Sequence, residues 1–473
     1  MSAGEAGEPS VAGGAGKAAS GGGGSGGAEN AGAAGVPEEG GMGGAVPGMG
    51  GVGADAGAAG MVAMVEPPRP PTAPLLTLSP LPAVPADTTN AYADNALARA
   101  LGQKLFFDKR YSGVLKQASD LGALGEAGKV ACFSCHSSST MADNRSVPNN
   151  VTLGTDFHTR SAPPLVNSSY YVWTNWAGRF SAQWELPIAV AENPITMNST
   201  RLTLAHFIFD HYKTEYEAIF GAMEPAIGTD AARFPASGKP KAATTDADGV
   251  WELMAAGDRT IVNRIGANYG KALQAYMRQL VSGNAPFDQW VAGTDHAVSA
   301  AAKRGAELFA GKARCLSCHN GPDFTDNQFH NLGVPQSGAH VPATDDGRFK
   351  DAVSLLASPI NSGTAFSDDI ATGRLLGLTT PMPLSTKAQF RTSSLRNIAL
   401  TAPYMHAGQL STLSDVVAFY NAGGGAPATG TVKDPLLFPL SLSASEQTDL
   451  VAFLNTLTGT SVSAALLVDT SGQ

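Results

Sequence analysis

The sequence lacks several features that would place it in a common class of protein. No run of about 18 apolar residues, the length that spans a bilayer, occurs in the 473 residues. Acidic residues outnumber basic ones by 40 to 31, and the net charge of -9 argues against binding to nucleic acid or to an anionic membrane surface. Met1 to Glu5 also lack the basic start of a secretory signal. An acidic chain of this kind suits a basic protein partner.

The first 86 residues contain no aromatic and few branched apolar side chains, and Gly, Ala and Pro dominate them. Such a composition cannot bury enough apolar surface to offset the entropy of ordering. The sequence therefore predicts a disordered, Gly-rich N-terminal tether over residues 1–86. The rest of the chain is long enough for two domains.

Cysteine is scarce, and its placement is the strongest signal in the chain. The four Cys form two C-x-x-C-H motifs. This is the attachment signature of haem c, in which two thiols add to the porphyrin vinyl groups and the His binds the iron. Zinc sites or disulfides could use the same thiols, but zinc sites usually close over shorter spacings. Two covalent haem c groups are predicted on Cys132, Cys135, His136, Cys315, Cys318 and His319.

Apolar residues recur at helical spacing and strand patterns are nearly absent, so the predicted fold is mainly α. A helix over 95–107, with Leu97, Leu101 and Leu105 on one face, precedes the first Cys motif. A helix over 295–309 precedes the second motif in the same way. This repetition predicts a domain boundary near Gly293. Other helices are predicted over 201–220, 259–281 and 412–420, and a last one carries Leu450 to Leu457.

Two further segments carry a family resemblance. Trp176-Ala-Gly-Arg179 lies between the Cys motifs, and the block from Arg396 to Gln409 follows the second one. With both motifs in this order, residues 101 to 457 resemble the bacterial dihaem cytochrome c peroxidases, a family that includes the enzyme maturing the tryptophan cofactor of methylamine dehydrogenase. The resemblance implies two cytochrome c-like haem domains in tandem, a peroxidatic one over 87–293 and an electron-transfer one over 294–473.

The resemblance also assigns a bridge and a metal site. Trp176 is expected to lie between the two haems and to carry electrons, although an aromatic core residue would also fit. Thr401 and Pro403 are expected to offer backbone oxygens to a calcium ion between the haems.

At the second haem, Tyr420 falls where peroxidases of the group have a Met ligand and the cofactor-maturing branch has Tyr. A phenolate stabilises ferric and higher iron states, so Tyr420 is expected to bind the second iron. The alternative is a helix-end Tyr packed by its ring, with Met405 or Met382 as the ligand.

Near the first haem, the loop His that closes the resting site in the family falls on Leu153, which cannot bind iron. His158 is close enough in sequence to take its place, but a neutral surface His is the favoured interpretation. An open first haem would need no reductive activation.

The acid–base residues of the family are also replaced: its distal Glu falls on Thr196 and its Gln on Leu186. Peroxide cleavage needs a group that moves a proton between the two oxygens, and Thr is a poor base. Glu192 is the predicted catalytic substitute and Glu185 its alternative; if neither substitutes, peroxide cleavage is expected to be slow. Glu192 also fits a solvated or capping residue.

Together these features predict a dihaem c-type oxidoreductase that reduces hydrogen peroxide at the first haem. Electrons would come from a small donor protein, of the cytochrome c or cupredoxin type, through the second haem and Trp176. The alternatives are peroxide-driven oxidation of a tryptophan on a partner protein, and a non-catalytic dihaem electron carrier or sensor. Haem c attachment favours the periplasmic or cell-envelope side of a membrane, with a leader or lipid anchor expected upstream of Met1.

Overall fold

Helices dominate the computed structural model, which describes residues 69–143 and 145–472. The α-helices are α1 (Ala73–Leu76), α2 (Ala96–Phe107), α3 (Cys132–Cys135), α4 (Ser146–Asn149), α5 (Leu186–Glu192), α6 (Arg201–Phe220), α7 (Val250–Leu253), α8 (Ala256–Met277), α9 (Pro286–Val291), α10 (Ala300–Ala310), α11 (Arg348–Ala357), α12 (Leu413–Asn421) and α13 (Ala444–Asn455). Short 3-10 helices lie at Ser168–Tyr170, Gln183–Glu185, Pro225–Gly228, Asp295–Ala297, Cys315–Ser317, Leu384–Thr386, Ile398–Leu400 and Ala464–Leu467. Strands β1 (Phe329–His330) and β2 (Phe390–Arg391) pair antiparallel. The prediction of a mainly α fold is confirmed.

Polar residues cap the helices where the sequence predicted helix starts. The side-chain oxygen of Asn95 accepts hydrogen bonds from the amides of Leu97 and Ala98, at 2.9 and 3.0 Å. At the start of α12, the Asp415 carboxylate accepts from the Thr412 amide at 2.9 Å and the Thr412 hydroxyl accepts from the Asp415 amide at 3.1 Å. Such caps satisfy amides that have no partner inside the helix.

The predicted apolar face of α2 is partly wrong. Leu101 and Leu105 are buried, but Leu97 is 57% exposed. At 3.6 residues per turn, each step of four residues rotates the side chain by about 40°. Leu97, two such steps before Leu105, has therefore turned away from the core.

Two apolar cores organise the described residues. The first includes residues of α2, α5, α6 and α8, among them the fully buried Tyr269 and Tyr276, and it also includes the fully buried Trp184 of the 3-10 helix Gln183–Glu185. The second includes residues of α9, α10, α12 and α13. Phe287 and Trp290 precede the predicted boundary at Gly293, yet they pack in the second core. The division into two domains remains a prediction.

In each core a helix that precedes a Cys motif packs closely on another helix, and glycine makes the contact feasible. A Cβ atom on Gly102 of α2 would lie 2.0 Å from the carbonyl oxygen of Ala272 in α8. A Cβ atom on Gly305 of α10 would lie 1.9 Å from the carbonyl oxygen of Asp449 in α13. The helix before each Cys motif therefore packs backbone to backbone on a later helix.

The predicted tether needs a correction at its C-terminal end. Leu75 and Leu78 are fully buried in the second core, and the Trp290 indole N–H donates to the carbonyl of Arg69 at 3.2 Å. Residues 69–86 are therefore packed against the folded chain. This segment contains four closely spaced leucines between residues 75 and 81, two of which are buried. The remainder of the predicted tether, residues 1–68, lies outside the described residues.

None of the helices in the described ranges is both long and apolar enough to cross a membrane.

Candidate functional site

A cavity of about 540 Å³ lies beside the first Cys motif, a volume typical of cofactor sites. Cys132, Cys135 and His136 line it together, because the single turn of α3 carries both thiols and ends just before the His. Burial raises the pKa of Cys132 to about 11 and that of Cys135 to about 12. Both thiols are free and neither forms a disulfide.

The orientation of His136 suits an iron ligand. Its Nδ1 lies 2.7 Å from the carbonyl oxygen of Met141, which can only accept a hydrogen bond. The proton therefore sits on Nδ1, and the lone pair of Nε2 is left for a metal, as is usual for ligating His. Burial lowers the pKa of His136, so its ring is neutral.

The second Cys motif repeats this arrangement. Cys315, Cys318 and His319 line a narrower cavity of about 160 Å³. The Nδ1 atom of His319 lies 3.0 Å from the carbonyl oxygen of Phe324, five residues on, as in the first motif. The donor chemistry of both cavities fits a covalently attached haem, although the second would have to widen around the porphyrin.

Tyr420 lines the second cavity from the last turn of α12, whereas neither Met405 nor Met382 is among its lining residues. Burial and the neighbouring Cys315 and Cys318 raise the pKa of Tyr420. Of the three candidate ligands, Tyr420 is the one that shares a cavity with His319.

A charged cluster at the second cavity was missed in the sequence. His330 lines the cavity, its Nδ1 lies 2.6 Å from Asp434 Oδ2, and its Nε2 lies 3.1 Å from Asp326 Oδ2. Hydrogen bonding to Asp326, then Cys318 and Asp434, raises the pKa of His330 to about 11. Cys318, Asp326 and His330 also place possible metal-binding atoms within 4.8 Å of one another, but Cys318 belongs to the haem motif. His330 and Asp434 are 104 positions apart in the sequence, so sequence reasoning could not predict that they pair.

Trp176 lies at the wall of the first cavity, and its backbone is bonded to a strand that contributes to the second. It lines the first cavity, and its indole N–H donates to the carbonyl oxygen of Ser161 at 2.6 Å. Its own carbonyl accepts from the Arg391 amide at 2.7 Å. The preceding residue of β2, Phe390, lines the second cavity. One strand residue therefore separates the Trp176 backbone from the wall of the second site.

The structure argues against Glu192 as the proton-transfer group. Its carboxylate accepts two hydrogen bonds from Arg201, at 2.9 and 2.7 Å, and it is not among the residues that line the first cavity. Glu192 is the last residue of α5, and its side chain does not face the first cavity. Its position in the sequence could not show this. The alternative, Glu185, is buried among Ser181 and Ser362 and also does not line the cavity.

The residues that replace the family's acid–base pair do face the first cavity. Thr196 and Leu186 both line it, and Thr196 Oγ1 is buried without a hydrogen-bond partner in the described part of the chain. His158, which was expected at the surface, is half-buried and lines the cavity too. Burial, with a smaller effect of Arg160, lowers the pKa of His158 to about 4, and its ring is neutral as predicted.

Arg160 organises the polar side of the first cavity. It donates to both carboxylate oxygens of Asp345 at 2.7 Å and to Asp351 at 2.7 Å. Asp345 precedes α11 and Asp351 lies on it, so this ion-pair network holds α11 against the cavity. The weakly periodic sequence around α11 gave no sign of this role.

Thr401 and Pro403 lie on the turn after Leu400. The Thr401 hydroxyl donates to the carbonyl oxygen of Ile398 at 3.1 Å. The backbone oxygens of Thr401 and Pro403 as calcium ligands remain a prediction.

Comparison with known proteins places the chain in a family. The sequence profile of the di-haem cytochrome c peroxidases matches residues 97–296. Cytochrome-c peroxidase IdrP1 of Denitromonas iodatirespirans is 32% identical over 379 residues, which cover 78% of this chain and 84% of that protein. Methylamine utilization protein MauG of Methylorubrum extorquens is 29% identical over 362 residues, 76% of this chain and 77% of that protein.

Among solved structures, a MauG-like protein associated with microbial copper homeostasis is similar, with a TM-score of 0.55 and 25% identity over 83% of this chain and 97% of that one. The diheme peroxidase BthA from Burkholderia thailandensis, 22% identical with a TM-score of 0.54 over 77% of this chain and 86% of its own, shares the fold. The chain therefore belongs to the di-haem cytochrome c peroxidase family and is a peroxidase-like oxidoreductase with two c-type haems.

Proposed function

We propose that the protein reduces hydrogen peroxide at the first cavity with electrons that enter at the second. The observation that carries this proposal is the position of Trp176, which lines the first cavity and is hydrogen-bonded to the strand whose Phe390 lines the second. Reduction of one hydrogen peroxide to two waters consumes two electrons and two protons. The haem groups supply the peroxide-binding iron and store the electrons.

The chain itself provides attachment and orientation. The four thiols fix the porphyrins, and the Nδ1 hydrogen bonds of His136 and His319 keep each Nε2 available to iron. In this proposal the two sites correspond to two cytochrome c-like halves, over 87–293 and 294–473. Trp176 carries electrons between them.

We propose His158 as the polar side chain that contacts peroxide in the first cavity. Asp345 and Asp351 line the same cavity, but their carboxylates are paired with Arg160. The Nδ1 atom of His158 accepts from the Arg160 amide at 3.3 Å, so the proton of the neutral ring is on Nε2. That N–H would donate a hydrogen bond to the peroxide oxygen that leaves as water. Because Thr196 is a poor base, solvent would supply the protons that this oxygen needs to become water.

A second candidate function is the peroxide-driven oxidation of a tryptophan on a partner protein. Tyr420 favours it, because a phenolate ligand stabilises oxidised iron and would let the second site hold an oxidising equivalent. The relative named methylamine utilization protein MauG is consistent with this class. The electron source would then be the protein substrate itself in place of a cytochrome c or cupredoxin.

Two further features belong to the same proposal. A calcium ion held by the backbone oxygens of Thr401 and Pro403 would stabilise the segment between the haems. Attachment of haem c requires export, so the protein is proposed to act on the periplasmic or cell-envelope side.

Steady-state peroxide consumption by the haem-loaded protein tests the function. With a reduced small cytochrome c as donor, each peroxide consumed should oxidise two donor molecules. Consumption with a peptide tryptophan but not with the cytochrome would favour the second candidate. No consumption with either reductant would contradict both candidates and favour an electron carrier.

A further inference from the structure

Tyr171 is a second aromatic residue at the wall of the first cavity, and its hydroxyl belongs to a buried polar group. It lines the cavity close to Trp176 in sequence. The Tyr171 hydroxyl accepts a hydrogen bond from the Ser394 amide at 3.2 Å. The Ser394 hydroxyl in turn donates to Oδ1 of Asp323 at 3.0 Å. The Tyr171 phenol and the Asp323 carboxylate are thus both hydrogen-bonded to Ser394.

The other oxygen of Asp323 has no hydrogen-bond partner. Asp323 is 9% exposed, and its Oδ2 is buried without a donor among the described residues. The nearby Arg396 directs its guanidinium to Asp288 and to backbone carbonyls instead. A buried carboxylate oxygen without a donor is costly and is ready to take up a proton. Consistent with this, burial raises the pKa of Asp323 to about 7.

Asp323 also lies next to the loop residue that orients the His ligand of the second site. Asp323 directly precedes Phe324, whose carbonyl oxygen lies 3.0 Å from Nδ1 of His319. On the other side, the guanidinium of Arg391 packs 3.5 Å from the centre of the Tyr171 ring, and Arg391 lines the first cavity. Tyr171 and Asp323 therefore connect the wall of the first cavity with the loop that orients the second iron ligand.

We propose that Tyr171 is a redox relay of the first site and that Asp323 is its proton acceptor. This inference rests on the proposed peroxide chemistry, which supplies the oxidant. After peroxide is reduced, Tyr171 would give one electron to the oxidised group held in the first cavity and its O–H bond would break. The proton would pass to the Asp323 carboxylate by way of Ser394, whose amide is hydrogen-bonded to the phenol and whose hydroxyl is hydrogen-bonded to Asp323 Oδ1. A neutral tyrosyl radical remains. One electron arriving from the second site, together with the proton returning from Asp323, restores the phenol.

Tyr170 offers a matched control, because it is adjacent in sequence but differently placed. Its hydroxyl donates to the carbonyl oxygen of Pro82 at 2.7 Å, and the residue does not line the first cavity. Tyr170→Phe and Tyr171→Phe each remove one hydroxyl and keep the ring. Soret absorption of the haem-loaded variants reports whether both still fold and carry haem.

The test is freeze-quench electron paramagnetic resonance of the haem-loaded protein after one equivalent of peroxide, with ring-deuterated tyrosine to identify tyrosyl signals. We expect a tyrosyl signal that narrows on deuteration, falls at least tenfold in Tyr171→Phe and is unchanged in Tyr170→Phe. In Asp323→Asn, the yield should fall at least fivefold.

Four results would overturn the inference in whole or in part. A wild-type protein that consumes peroxide without a deuterium-sensitive signal would remove the relay and leave the proposed function intact. A signal that survives in Tyr171→Phe would do the same, and an undiminished yield in Asp323→Asn would remove the proton acceptor. A wild-type protein that consumes no peroxide would remove the proposed function and the relay with it.

Discussion

Tyr420 is the side chain on which the chemistry of the second haem depends most. It shares a cavity with His319, and burial raises the pKa of its phenol, so an iron must displace the proton to bind it. We expect Tyr420→Phe to change the spin state and the visible spectrum of the second ferric haem. The matched control is Tyr404→Phe, since Tyr404 is buried outside this cavity with its hydroxyl on the Ile398 carbonyl. Identical spectra for wild type and Tyr420→Phe would exclude a phenolate ligand.

Glu192, the residue predicted for catalysis, forms an ion pair with Arg201 and does not line the first cavity. Its side chain is 14% exposed and that of Arg201 6%, so their ion pair is largely buried. Because Glu192→Gln leaves the guanidinium without its charged partner, we expect a loss of about 3 kcal/mol in the free energy of unfolding. The rate of peroxide cleavage should change by less than about twofold. Denaturant titration and stopped-flow kinetics measure the two effects; a tenfold slower cleavage at unchanged stability would return Glu192 to the mechanism.

The His330 pair with Asp326 and Asp434 makes stability depend on pH. The folded-state pKa of His330 is raised to about 11, mainly by Asp326, above the ordinary value of 6.5. A raised pKa means that the protonated ring stabilises the fold, fully below about pH 6.5 and progressively less as pH rises towards 11. Attachment of Cys318 to haem removes the contribution of that thiol to the raised pKa of His330. The pKa stays raised, because the carboxylates of Asp326 and Asp434 remain.

We therefore expect wild type to lose more unfolding free energy than His330→Gln between pH 7 and 10, measured by urea titration at each pH. The difference between the two proteins cancels the other titrating groups. Equal slopes for the two proteins would show that His330 is neutral in the haem-loaded fold.

Among the elements, α1 lies in the segment whose composition predicted a disordered tether. Leu75 of α1 is fully buried in the second core, whereas the adjacent Leu76 is 47% exposed. Removing a buried leucine side chain leaves a cavity, so Leu75→Ala should cost about 3 kcal/mol of unfolding free energy. Leu76→Ala should cost less than about 0.5 kcal/mol, as is usual at the surface. Equal effects in denaturant titration would mean that α1 does not dock in solution.

The helices themselves were largely predictable from local sequence. Helix α6 spans Arg201–Phe220 as predicted, and α12 begins after the Thr412 cap because that signal lies within four residues. Helix α8 was predicted over 259–281 but spans Ala256–Met277, because its last apolar residues belong to the chain beyond the helix. The partners of Arg160 could not be predicted, since an ion pair between Arg160 and Asp345 or Asp351 depends on how distant segments fold together.

At the scale of the whole molecule, the haem sites were predictable because each motif places its three functional residues within five positions. Within each motif, one turn of chain decides the geometry, and the His then finds a carbonyl five residues further on. Residues that complete the cavities come from distant segments, and only some of the predictions for these residues agree with the structure. Trp176 and Tyr420 line the expected cavities, Glu192 does not, and Tyr171 and Asp323 gave no recognisable pattern.

The proposed function depends on electronic coupling of two haems through Trp176. The most direct test is stopped-flow spectroscopy of the protein with its second haem reduced and its first haem ferric, mixed with one equivalent of hydrogen peroxide. In wild type, we expect the reduced second haem to become oxidised within the single turnover. Trp176→Phe should slow this step at least tenfold, about 1.4 kcal/mol of barrier, while both haems remain bound. Oxidation of the second haem at the same rate in Trp176→Phe would contradict the account.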